Sequence, residues 1–260
     1  MAISDITVRR VSESAPNEPL HQGTRSDPSG KAIRNVLLLS ISDSEFELIR
    51  PHLELIDLPH HFIMHEAGEK LDFAYFLNEG MASLVVTTKD RRSVEVGVVG
   101  REGMVGTSLA VGLNRGAYRA IMQISGSGLR VSADALQGLL STASELRLKL
   151  SRYVLVQGLQ VAQVAACNRL HGLKERLARW LLMCQDRVDS DQLSLTHDFL
   201  AQMLGTGRPS VTLAAGELEQ AGVIESRRGG IRVVNRKGME QVACECYDVI
   251  QHFNGGLGLK

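Results

Sequence analysis

The sequence predicts an α+β chain in three parts: an N-terminal antiparallel β-roll of the jelly-roll kind, a long dimerisation helix, and a C-terminal winged helix-turn-helix. Three observations carry this. Between about 54 and 131, short β-branched segments alternate with turn residues. Residues 134–168 then switch to helical spacing, with apolar stripes on two faces. Around 193–236, a small residue, a glycine and an apolar seal stand at helix-turn-helix offsets, followed by a basic hairpin.

The expected divisions are a disordered tail over 1–34, the roll over 35–143, the dimerisation helix over 144–170, the DNA-binding domain over 171–250, and a flexible tail over 251–260. The tail 1–34 is rich in Ser, Pro, Asn and charge and has too little apolar surface to offset its ordering entropy. After it, Ser42 followed by Glu45 reads as a capping signal for an amphipathic helix that stops before Pro51.

Bulk properties narrow the function classes. The chain has 260 residues and a formal net charge of zero, so any nucleic-acid surface has to be a local patch. Its N-terminus lacks the apolar stretch of a signal peptide, and no run reaches the length of a membrane span. Reduced thiols and a cytoplasmic location are therefore expected for Cys167, Cys184, Cys244 and Cys246. Neither a nucleophile–base pair, nor metal-ligand spacing, nor a phosphate loop points to an enzyme or a metal site.

In the roll, the segments LELIDLP, FIMHEAGE, AYFLNEG, MASLVVTT, SVEVGVV and RAIMQIS read as strands. Breaks are expected at Ala67-Gly68, Asn78-Glu79-Gly80, Lys89-Asp90-Arg91 and Gly126-Ser127-Gly128. Gly97, Gly100, Gly103 and Gly106 recur every third residue but lack the Gly-Lys-Ser/Thr of a P-loop, so they read as turn glycines. His60, His61 and His65 read as a solvated edge. On the long helix, Leu150, Val154, Gln157, Val161 and Val164 form the stripe expected to meet a second copy, and Leu148, Leu155, Leu159, Ala162 and Ala166 form the other. The alternative is a core helix in a monomer. Gly158 fits a close helix approach. Cys244 and Cys246, at i,i+2 on an expected helix, would not share a face, which argues against a joint thiol site and leaves a redox role open.

In the C-terminal module, Thr196 is the expected cap of a first helix, His197–Leu204, and Gly205 ends it. Thr206 is the expected cap of a second helix running to about Ala221, with Pro209 in its first turn. Ala201 allows a close crossing that Val211 and Leu218 seal. A Gly229-Gly230 turn closes the wing. Over 205–237, six basic residues stand against three acidic ones. Arg208 is placed to read a guanine edge. Ser210 and Thr212 can donate to phosphate or base, and Arg227, Arg228 and Arg232 on the wing are expected to hold the DNA backbone.

The segments EAGE, YFLNEGMASLVV, VGREGMVG, NRLHGLKERLARWLLM, LTHDFLAQMLGTGRPSVT and ACECY make the chain resemble the Crp/Fnr-type regulators from about 35 to 250. The resemblance implies a cyclic-nucleotide-binding-like sensor roll, a homodimer, and DNA carrying an inverted repeat, with RNA polymerase left open as a further partner. It implies that Arg208 reads guanine, that Ser210 is its hydroxyl neighbour and that Thr196 contacts phosphate. Pro209 stands where many members carry Glu, so the preferred half-site should differ. The effector segment corresponds to Gly106, Thr107 and Ser108, with Arg119 further on and Val161 on the helix. The carboxylate that would hold a ribose hydroxyl is missing, and so are the hydroxyl after Arg119, where Ala120 stands, and those on the helix, where Val161-Ala162 stand. Cyclic AMP is therefore not the expected ligand, which leaves another small ligand or a vestigial pocket, with control by abundance or redox. No cysteine precedes Cys167, so the N-terminal iron–sulfur cluster of the family's oxygen sensors is not expected.

Overall fold

The computed structural model describes residues 25–188, 190–227 and 229–255. Two short helices, α1 (Val36–Leu39) and α2 (Asp43–Ile49), lead into a roll of eight strands. These are β1 (Glu54–Leu58), β2 (Ile63–His65), β3 (Phe73–Leu77), β4 (Met81–Thr87), β5 (Ser93–Val99), β6 (Met104–Val105), β7 (Arg119–Ile124) and β8 (Gly126–Ser132). They form two four-stranded antiparallel sheets, ordered β1-β8-β3-β6 and β2-β7-β4-β5. Then come α3 (Ala133–Leu140), the long α4 (Ser144–Leu170) and α5 (Leu173–Val188). The C-terminal module comprises β9 (Gln192–Leu193), α6 (His197–Met203), α7 (Arg208–Gln220), β10 (Ile224–Arg227), β11 (Gly230–Val233), α8 (Arg236–Val242) and α9 (Cys246–Gly255). Among the described residues, no helix is long and apolar enough to cross a membrane.

The apolar runs of the strands follow from burial on both faces. In β3, Tyr75 and Leu77 pack between the two sheets with Leu58, Leu84 and Met122. Their neighbours Ala74 and Phe76 face the other way, onto α1–α4 through Leu37, Phe46, Leu136 and Leu150. In the second sheet, Val99 points into the roll, whereas Met81 and Val98 join the core of the C-terminal module. One uninterrupted core thus runs from Met81 through Trp180 to Leu218.

Several local expectations change. Residues 25–34 are ordered: Arg25 is buried and donates to the carbonyls of Leu38 and Ile41 at 2.6 and 2.7 Å and to Asp43 at 2.6 Å. The rest of the expected tail, residues 1–24, lies outside the described residues. Gly126-Ser127-Gly128 is no turn but the start of β8, paired with both β1 and β3. The absence of side chains lets the backbones approach, because a Cβ on Gly128 would stand 2.8 Å from the Phe76 carbonyl. His65 is buried rather than on a solvated edge, while His60 and His61 stack at 3.7 Å. Residues 251–255, expected as flexible, complete α9, and 256–260 lie outside the described residues.

The glycine series after 97 is mostly about space. Only Gly106 among the four has a left-handed backbone, at φ 92°. A Cβ on Gly97 would meet the Gln160 amide at 2.8 Å, one on Gly100 would meet Arg187 at 2.7 Å, and one on Gly103 would fall on the Tyr153 ring. These glycines let α4 and α5 lie flat on the roll. Substituting Gly103→Ala should therefore lower unfolding free energy by about 1–3 kcal/mol in denaturant titrations. Gly138→Ala, on an exposed helix position with nothing within 4 Å, should raise it by up to about 1 kcal/mol.

Candidate nucleic-acid interface

The first helix of the module, α6, starts where Thr196 accepts a hydrogen bond from the Phe199 amide at 3.2 Å. Leu200, Ala201 and Met203 face inward, and small Ala201 sits where α7 crosses. The chain then reverses at Gly205, whose φ of 62° a β-branched residue would not adopt. The Thr206 amide donates to the Ala201 carbonyl at 2.9 Å, so this residue belongs to the turn. The cap of α7 is Gly207, without a side-chain bond, rather than Thr206 as expected. Arg208 and Pro209 open the helix, where a missing N–H leaves no helical partner unsatisfied.

Along α7, Val211, Ala214, Ala215 and Leu218 are buried at helical spacing. The opposite face presents Arg208, Pro209, Ser210, Thr212 and Leu213 to solvent. Arg208 lies 3.5 Å from Asp198 across the helix pair, both side chains about two-thirds exposed (65% and 70%). Such a pair is weak and exchangeable. The Thr212 hydroxyl is turned back on its own helix, donating to the Arg208 carbonyl at 3.1 Å with His197 3.0 Å away. Ser210 remains exposed beside Arg208.

The wing is three-stranded, because β9 adds to the β10–β11 hairpin through Leu193 opposite Ile231. The two paired residues of β9 are too few to leave a periodic signal in the sequence. Gly229 turns with φ 83°, and Gly230 belongs to β11 against the Leu193 carbonyl. Arg227 pairs with Glu225 at 3.0 Å and Arg232 with Asp191 at 3.0 Å, both at the surface. Arg228 lies outside the described residues. Arg236 counted toward the basic surface in the sequence. It is instead a structural node, donating to Asp186 at 2.7 Å, Tyr247 at 2.6 Å and Gln185 at 3.1 Å.

A seam of polar contacts ties this module to the roll. The Trp180 indole donates to Glu95 at 2.6 Å, and the Ser83 hydroxyl reaches the other carboxylate oxygen at 2.5 Å. Arg187 binds Glu102 at 2.8 Å and is almost fully buried. Burial pushes the Glu95 carboxyl up to about 7, against the bonds from Ser83 and Trp180 and the charges of Arg179 and Arg187.

The residues expected at an effector pocket are dispersed among intramolecular partners. The Thr107 hydroxyl donates to Gln157 of α4 at 2.7 Å. Gly106 caps the short 3-10 turn Thr107–Val111, and Ser108 and Val161 are half-buried. Arg119 pairs with Glu66 at 3.3 Å. Of the stripe expected to meet a second copy, Leu150, Gln157 and Val164 are buried inside this chain, and Val154 and Val161 are half-buried. The stripe left open is the other one: Leu148 is 49% and Leu155 65% exposed, with Ala162 and Ala166 beyond them.

The cysteines also assemble differently from the helical-face argument. Cys244 lies before α9, not on it, so the i,i+2 rule for helices does not apply. Cys167, Cys244 and Cys246 form a small buried cluster of their own, joined by His171. The sequence signal was CNRLH at the end of α4 and ACECY near the C-terminus, two segments whose meeting depends on how the module folds back.

Residues 175–242 match the family model of the Crp-like helix-turn-helix domain. The C-terminal module is a Crp-like helix-turn-helix domain. No curated protein matches the chain. Among solved structures, FixK2 from Bradyrhizobium japonicum matches with a TM-score of 0.64 and 15% identity, covering 74% of this chain and 98% of that one. A Crp/Fnr-family transcriptional regulator from Eubacterium rectale matches at 0.62 and 15%, covering 78% and 94%. The c-di-GMP-responsive global regulator CLP of Xanthomonas campestris matches at 0.59 and 17%, covering 74% and 99%. The chain therefore shares the fold of these Crp/Fnr-type regulators, as the resemblance read from the sequence implied.

The buried seam has a pH signature. A carboxyl whose pKa is raised on folding binds more protons folded than unfolded, so stability is lost as pH rises from about 4.5 toward about 7. Replacing Glu95→Gln keeps the shape and an acceptor for the Trp180 indole, with the Ser83 hydroxyl now accepting from the amide, but cannot ionise. Urea unfolding of this variant between about pH 5 and about pH 8 should show a flatter stability profile than that of the parent protein.

Proposed function

We propose that this chain is a homodimeric, sequence-specific DNA-binding regulator in which α7 reads the major groove of an inverted repeat. The observation that carries the reading is the exposed first turn of α7 in a Crp-like helix-turn-helix domain, with Arg208 and Ser210 projecting from it. Arg208 supplies a planar fork for guanine at the edge of the helix, held by a weak pair with the exposed Asp198. Ser210 is its hydroxyl neighbour. Thr196, at the start of α6, and the wing arginines Arg227 and Arg232 face phosphates, their surface ion pairs being replaceable by DNA. Pro209 offers no donor or acceptor side chain, which favours a half-site different from one read by a carboxylate at that place.

Pairing through α4 supports the dimer. Its open stripe, Leu148, Leu155 and Ala162, is apolar and exposed among the described residues. Gly158 has nothing within 4 Å and leaves a notch where a second helix can approach. Two modules related by that axis would enter successive major grooves about 34 Å apart. As for control, the pairing of Arg119 with Glu66 and the apolar filling of the roll argue against cyclic AMP. A different ligand would act by shifting α4, since Gln157 and Gln160 connect it to the roll.

Selection of bound sequences from random DNA should return an inverted repeat. On that operator, Arg208→Ala should cost about 1–3 kcal/mol of specific binding and relax preference at one position of each half-site. Unchanged affinity would refute the assigned role of α7. Leu155→Glu should convert the protein to monomer in sedimentation at micromolar concentration and abolish tight binding to the repeat, and a parent protein that is already monomeric would overturn the dimer.

A further inference from the structure

Four side chains that the DNA-reading surface does not use converge beneath the hinge between α4 and α5. Cys167 lies in the last turn of α4, His171 caps that helix, Cys244 lies in the connection from α8, and Cys246 begins α9. The three sulfurs and one imidazole nitrogen all lie within 4.8 Å of one another. Cys167 Sγ is 3.4 Å from Cys244 Sγ, and Cys246 Sγ is 3.5 Å from His171 Nδ1.

These are the edges of a small tetrahedron. With Zn–S near 2.3 Å and Zn–N near 2.0–2.1 Å, a tetrahedral site has S···S edges of about 3.8 Å and S···N edges of about 3.5 Å. Slight expansion on the sulfur side would admit one ion, whereas a polynuclear iron–sulfur cluster needs its ligands much farther apart. The surroundings fit as well. His171 Nε2 lies 3.1 Å from the exposed Glu245 carboxylate, which holds the proton on that nitrogen and turns the lone pair of Nδ1 toward the thiols. The Gln163 amide donates to Cys246 Sγ at 3.0 Å, the N–H···S contact that supports a thiolate. Three thiolates and one imidazole form a soft set suited to zinc.

We propose that Cys167, His171, Cys244 and Cys246 form a mononuclear Cys3His zinc site. Metal binding would release the thiol protons to solvent and bind the end of α4 to the C-terminal helix. It would thereby fix the joint from which α5 carries the DNA-binding domain, independently of whether α7 reads DNA as proposed.

The test uses the full-length, tag-free protein purified anaerobically. Elemental analysis should find about one zinc per chain retained through gel filtration. Replacement with Co(II) should produce the visible bands of a tetrahedral site together with thiolate-to-cobalt charge transfer in the near ultraviolet. The double variant Cys167→Ser/Cys244→Ser should lose both, while Cys184→Ser, altering the cysteine outside the cluster, should keep them. Glu245→Gln, a surface change that leaves folding intact, should weaken zinc affinity about ten- to a hundredfold in competition with a chelator. A folded parent protein that takes up neither zinc nor cobalt overturns the proposal. So does one isolated with a Cys167–Cys244 disulfide, or cobalt bands that survive in the double variant.

Discussion

A helix of 27 residues, about 40 Å long, has to satisfy three neighbours at once, and the rest of the structure is arranged around it. Through Leu146, Leu150 and Tyr153 the N-terminal half of α4 closes the first sheet of the roll. Through Gln157 and Gln160 its middle bonds to the 3-10 turn and to the backbone of β5. Through Val164 and Cys167 its end enters the C-terminal module and the thiol cluster. Each demand falls on a different stretch of one face, which leaves Leu148, Leu155 and Ala162 outside.

That division explains why polar residues are buried where a sensor would have to communicate. Gln157 and Gln160 are costly in a core unless their amides are bonded, and both are. A bonded polar contact can exist in only a few geometries, so it couples the roll to the helix more sharply than interchangeable methyl contacts would. The seam around Glu95 does the same between β5 and α5. There Trp180 contributes both its apolar area to the module core and its N–H to the carboxylate.

The module core and the roll are therefore not separate bodies joined by a linker. Met81 and Val98, on the outer face of the second sheet, belong to the same apolar cluster as Leu200, Val211 and Leu218. Any change in how α7 is presented has to repack that cluster or pivot at the α4–α5 break, where Cys167 and His171 lie.

The sequence by itself determined the main elements and the helix-turn-helix. Short β-branched runs, a long helical stretch and the offsets of Ala201, Gly205 and Val211 are local patterns, and Arg208 follows from its place at the start of a helix. What the tertiary structure decided were relations between distant segments. Both stripes of α4 are apolar, and only packing shows that Leu150 faces the roll while Leu155 stays outside. Gly126 and Gly128 look like turn residues because a close backbone approach and a reversal both ask for the missing side chain. The gathering of Cys167 and His171 with Cys244 and Cys246 spans more than seventy residues, and no periodicity encodes it. It depends on α9 folding back against α4, a contact set by burial rather than by local propensity.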